Sequence, residues 1–185
     1  NGGNATFEAK GSGGIFSVGA NGFVQSFGGN INIFANDVAI NNTNPNTINA
    51  GSGIITIARA SGSGNILLGD DAGASGLRLS NAELNRMAAG QLVIGREGTG
   101  SFDNSIIADD ANLTKFDLVT LNTRNANGGG EDVIFRGVNT ANALNVNSND
   151  EVLFDQTCSG FLCGIGIGTF TNASLSANGN VSLLA

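Results

Sequence analysis

An all-β fold of stacked coils, with one short inserted helix, is what this 185-residue sequence predicts. The first observation is compositional. The chain has 29 Gly and 27 Asn beside 1 Pro, and only 12% charged residues, about half the usual fraction. Gly and Asn tolerate positive φ, so they turn a chain sharply. The second is the pattern between those turns. The chain has 11 Phe and many Ile, Val and Leu in short alternating runs, which disordered chains lack. The third is a loose internal repeat with no linker in it, so residues 1–185 read as one segment.

The core of the repeat is glycine, then Asn, then apolar-polar-apolar, any residue, then Ala or Gly. Gly3 to Ala9, Gly29 to Ala35 and Gly179 to Ala185 fit it, and Gly53 to Ala58 and Gly64 to Gly69 are partial copies. Further alternating runs are Gln91 to Gly95, Lys115 to Leu121, Asp132 to Gly137, Glu151 to Asp155 and Gly166 to Thr171. One coil cannot bury its own apolar face, so neighbours must stack. Phe7, Ile33, Ile57, Leu68, Val93, Val119, Ile134, Leu153 and Leu183 are the expected interior. Thr6, Asn32 and Thr56 are expected outside. About 20 residues per coil would give about nine coils, with strands about 4.8 Å apart. Asn41 to Asn49, with the only Pro, reads as a protruding loop. A sandwich of antiparallel hairpins fits less well, because two-residue Asn-Gly turns between matching strands are scarce.

The helix signals are complete at one place, Leu77 to Gly95. Ser80 and Glu83 form a capping box, and Leu79 and Leu84 suit a hydrophobic staple around it. Leu84, Met87 and Ala88 share a helical face at i, i+3, i+4. Gly90 suits a left-handed stop. The expected helix therefore runs from Ser80 to Gly90, between strands.

The order strand, LSNAEL, short helix, AGQLVIG resembles a segment of filamentous haemagglutinin-like exoproteins, large adhesins exported by two-partner secretion. The resemblance covers about a tenth of the chain by this motif, and most of it by the looser repeat. It implies a right-handed parallel β-helix at a bacterial cell surface or in the secreted state. It also implies an adhesive or filament role, with further repeats or other copies of the chain as partners. Neither terminal copy of the repeat reads as a cap, so continuation or end-to-end stacking is expected. Surface glycans are candidate partners.

Several classes are disfavoured. A net charge of −7 with scattered basic residues argues against nucleic acid. No apolar run approaches the roughly 18 residues of a membrane span. The absence of His removes the usual triads and zinc sites. Carboxylates with a basic residue can serve a carbohydrate-active β-helix enzyme, the main rival reading, and a passive shaft of a toxin-delivery exoprotein is a third. Asp70-Asp71, Asp109-Asp110, Glu131-Asp132 and Asp150-Glu151 are the acidic pairs. The last three recur at 22 and 19 residues, near one coil, so Asp109, Asp110, Glu131, Asp132, Asp150 and Glu151 could stack into a ridge. Solvated turns, a calcium site and paired catalytic carboxylates are the alternatives there, the first being the leading one. No cofactor is expected.

Cys158 and Cys163 are the only cysteines. They cannot complete a zinc site and are not a C-x-x-C redox pair. A disulfide, two buried thiols or an intermolecular link remain open, with the disulfide favoured for a secreted chain. Five N-x-[ST] sequons, at Asn4, Asn41, Asn112, Asn172 and Asn180, are numerous enough in an Asn-rich chain to arise by chance.

Overall fold

The computed structural model describes residues 2–60, 64–70, 76–96, 105–123, 131–155, 170–177 and 180–184. Of these residues 54% are in strands and 3% in helix, so the fold is all-β. A seven-stranded sheet runs in the order β1 (Ala5–Glu8), β4 (Ile31–Phe34), β7 (Ile54–Ala58), β11 (Gln91–Gly95), β13 (Leu118–Asn122), β15 (Ala141–Ser148) and β17 (Phe170–Ala177). A six-stranded sheet runs β18 (Val181–Leu184), β16 (Val152–Asp155), β14 (Val133–Arg136), β12 (Ile106–Asp109), β8 (Asn65–Gly69) and β9 (Gly76–Leu79). A three-stranded sheet joins β10 (Met87–Ala88), β6 (Ile48–Asn49) and β3 (Val24–Gln25), and β2 (Ile15–Val18) pairs with β5 (Asp37–Ile40). Every one of these pairings is parallel.

Register follows the hydrophobic pattern. Ile31, Ile55, Leu92, Val119 and Leu144 are opposite one another across the seven-stranded sheet, and Ile33, Ile57, Ile94, Leu121 and Val146 form the second inward row. Ile66, Ile106, Val133 and Val152 make the matching row of the six-stranded sheet. These rows meet in one continuous core. Each fully buried Ile, Leu or Val contributes about 1.5–3 kcal/mol of transfer free energy. A one-residue slip would turn a whole row to solvent.

The glycine and Asn of the repeat have a physical role. Asn4 Oδ1 accepts from the Asn30 amide at 2.9 Å, and Asn30 Oδ1 accepts from the Ile54 amide at 3.0 Å. Each Asn thus holds the strand start of the next layer. The preceding glycines let the backbones touch: a Cβ at Gly53 would lie 2.3 Å from the Gly29 carbonyl oxygen.

Four expectations need correction. The helix α1 is only Asn81–Leu84, ending at Asn85, and Met87–Ala88 is strand β10, paired with Ile48–Asn49. The Arg86 carbonyl accepts from the Ile48 amide at 3.1 Å. Ladder pairing and complete burial of Met87 thus override the local helical pattern. Gly90 has no positive φ; its lack of a Cβ matters because Ser52 O would lie 2.9 Å away.

Second, Ile33, Ile57, Leu68 and Val119 are buried as expected, but Val93, Ile134 and Leu153 are outward and half-buried. Their neighbours Leu92, Ile94, Val133, Phe135 and Val152 take the interior. In runs apolar at three successive positions, alternation cannot choose the face. Phe7 is half-buried, and the Leu183 side chain lies outside the described residues.

Third, the chain returns to the seven-stranded sheet after more than the roughly 20 residues expected. Register partners are 24 residues apart at Ile31 and Ile55, and 37 apart at Ile55 and Leu92, where β9 and α1 are inserted. Fourth, the Gly179 copy of the repeat is not equivalent to the Gly3 copy. Its strand β18 belongs to the six-stranded sheet, whereas β1 belongs to the seven-stranded one.

Candidate functional site

The six acidic candidates form two groups, not one ridge. Asp109 ends β12, in register with Arg136, and the next layer carries Asp155. Arg136 Nε lies 3.3 Å from Asp155 Oδ2. Asp110 follows in the turn with φ of 50°, a conformation that Asp tolerates better than most residues. Its Oδ1 accepts from the Val138 amide at 2.6 Å. The equivalent turn one layer on uses Gly137, also at positive φ, where a Cβ would lie 2.3 Å from Asp110 Oδ1.

Glu131, Asp132, Asp150 and Glu151 lie at the other end, before β14 and β16. A strand length, about 13 Å for four residues, separates the groups. Near-coil spacing in sequence therefore did not put Asp109 beside Glu131. In the second group Asp132 Oδ1 accepts from the Glu151 amide at 3.1 Å, and Glu131 Oε2 accepts from Asn149 Nδ2 at 2.8 Å. Ser105 Oγ accepts from the Asp132 amide at 3.1 Å. The Asp132 carboxyl is held above its ordinary pKa, first by burial and then by repulsion from Asp150, Glu151 and Glu131, against the lowering effect of the Glu151 amide. These contacts serve the strand starts. Among the described residues, no three of His, Cys, Asp and Glu assemble into a group that could hold a metal ion. Cys158 and Cys163 lie outside the described residues.

The inserted helix is a junction. Both halves of the capping box are present: Glu83 N donates to Ser80 Oγ at 3.3 Å, and Ser80 N donates to Glu83 Oε2 at 3.0 Å. Glu83 Oε1 also accepts from the Ile40 amide at 3.2 Å. Asn81 Nδ2 donates to Asp70 Oδ1 at 3.1 Å and Asp110 O at 2.9 Å, and its Oδ1 accepts from the Asn112 amide at 2.8 Å. Arg86 Nη1 donates to the Ile40 carbonyl, and Lys115 Nζ to that of Asn85. Burial lowers the Lys115 pKa. Thus α1 ties β5 to residues 110–115. A cleft of about 280 Å³ beside it is lined by Leu67, Asp70, Arg78, Leu79 and Glu83, among others. Both Glu83 oxygens in it are already engaged by the protein.

The outer face of the seven-stranded sheet is of another character. Thr6, Asn32, Thr56, Thr120, Asn145 and Ser174 follow one another along a single row, with Val93 between Thr56 and Thr120. All are exposed or half-exposed. Asn32 Nδ2 donates to Thr6 Oγ1 at 3.2 Å, and Gln91 Nε2 to Thr120 Oγ1 at 3.1 Å. Glu8, at the edge, is the only charged residue in the seven strands. Sequence reading marked Thr6, Asn32 and Thr56 as outward; the scarcity of charge in these strands is visible only once the sheet is known.

Comparison of the chain with family models, with curated proteins and with solved structures finds no match in any of the three. Among the described residues, no helix is long and apolar enough to cross a membrane.

Proposed function

We propose that the chain is a run of coils of a right-handed parallel β-helix, forming one non-enzymatic segment of an extracellular bacterial fibre with a structural or adhesive role. The observation that carries this reading is the in-register parallel stack of seven strands, one per return of the chain. Right-handedness follows the rule for crossovers between parallel strands of one sheet. The LSNAEL…AGQLVIG resemblance supports the surface-adhesin setting. Apolar exposure supports stacking: Ile15, Phe23 and Phe27, in the layer of β1 to β3, are 57%, 53% and 80% exposed. An adjoining coil, from the same chain or from another copy, would cover them and pair with the free edges. Head-to-tail contact of this kind gives an open filament when it does not close into a ring.

Two measurements test the reading. Size-exclusion chromatography with electron microscopy should show end-to-end assemblies; a stable monomer across a range of concentrations counts against the fibre. Incubation with acidic and neutral polysaccharides should release neither reducing ends nor unsaturated uronates. Release that disappears when Asp109, Asp110, Glu131 and Asp132 are replaced would make the chain an enzyme.

A further inference from the structure

Building on the adhesive reading, we propose that the outer face of the seven-stranded sheet binds uncharged, hydroxyl-rich polysaccharide, laid along the row from Thr6 to Ser174. The first ground is charge. The chain is acidic, at −7, yet this sheet carries only Glu8. Stacking alone does not demand neutrality. The six-stranded sheet is equally in register and carries Arg78, Asp109, Arg136 and Asp155, with Arg136 between the two acids. An anionic polymer laid along the row would lose hydration with little to gain, since Arg96, the cation on this face, is already stacked 5.1 Å over the Phe34 ring. A neutral polymer loses little.

The second ground is the chemistry of the row. Apart from Val93, its groups are hydroxyls and carboxamides, which both donate and accept. Thr6 Oγ1 and Thr120 Oγ1 each accept from a neighbouring carboxamide, at 3.2 and 3.1 Å, and each hydroxyl still has a proton to donate. Ile54 and Leu118 stand half-buried in the next row, each in register with Gln91, where they suit the C–H faces of sugar rings. Strand pairing fixes the backbone beneath these groups before binding, which lowers the ordering cost. Individually weak hydrogen bonds then add over a repeating ligand.

The test is affinity electrophoresis of the whole chain in gels containing mannan, xylan or polygalacturonate, with Thr56→Lys/Thr120→Lys and the milder Thr56→Ala/Thr120→Ala as variants. Far-UV circular dichroism monitors their folding. The expected result is retardation by at least one neutral polymer, little changed by salt, and weakened about tenfold in either folded variant. Arg78→Gln, on the other sheet, should bind as the parent does. No retardation by either neutral polymer, equal retardation of the alanine variant, or retardation by polygalacturonate alone would overturn the proposal. Filaments that form without binding would overturn it too, while leaving the fibre reading intact.

Discussion

Removing the Glu83 carboxylate should loosen the junction between the first layers and the rest of the chain. Glu83 Oε2 accepts from Ser80 N at 3.0 Å and Ser80 Oγ at 2.8 Å, and Oε1 accepts from Ile40 N at 3.2 Å, 43 residues away. Loss of a helix cap costs about 1 kcal/mol. Stranding the amide of Ile40, whose residue is 2% exposed, costs a further 1–3 kcal/mol or so. Glu83→Ala should therefore destabilise by about 2–4 kcal/mol, and Ser80→Ala, which spares the Ile40 contact, by about 1 kcal/mol. Glu83→Gln keeps one carbonyl acceptor and should fall between the parent and the alanine variant. Urea titration followed by far-UV circular dichroism measures all three. Glu83→Ala within about 0.5 kcal/mol of the parent, or no worse than Ser80→Ala, would refute the assignment of this carboxylate as a tie between β5 and α1.

Three further outcomes are expected. Leu92→Ala should cost about 2–5 kcal/mol by the same titration and Val93→Ala less than about 1.5 kcal/mol, since only Leu92 is interior; the reverse order would mean a shifted register. The raised pKa of Asp132 means that its contribution is fully present below the ordinary carboxylate range and is lost as pH rises through the raised folded value. Asp132→Asn, which keeps an acceptor for Glu151 N, should then raise the melting temperature at pH 7 and lose that advantage near pH 4; a variant less stable at pH 7 contradicts the sign. Intact mass with and without reduction before alkylation should show one disulfide between Cys158 and Cys163, and two alkylated thiols without reduction would exclude it.

The sequence revealed signals local enough to survive stacking. SNAE spelled out the capping box because that motif closes within four residues. Gly29-Asn30 and Gly53-Ile54 marked strand starts because close backbone approach excludes a side chain there. What was illegible depended on partners far along the chain. Met87 fitted a helical face, and only Ile48, 39 residues earlier, makes it a strand residue. Leu92-Val93-Ile94 and Val133-Ile134-Phe135 are apolar throughout, so nothing local chose the inward side. At the candidate site, Asp109 and Glu131 lay near one coil apart in sequence, but spacing says nothing of which end of a strand a residue occupies. Asn81, Ser105, Arg136 and Asp155 were missed because their roles consist of contacts between layers.

Successive returns of the chain stack as parallel strands in one register. Spin labels test it at outward positions of the seven-stranded sheet, in a chain whose Cys158 and Cys163 are replaced by Ser. One label replaces Thr6, and the second replaces Thr120, Asn145 or Ser174, which lie four, five and six strands away in the sheet order. Double electron–electron resonance should give distances near 19, 24 and 29 Å, rising by about 4.8 Å per strand. Distances that fail to rise in that order, as in a sandwich of antiparallel hairpins, would contradict the stack.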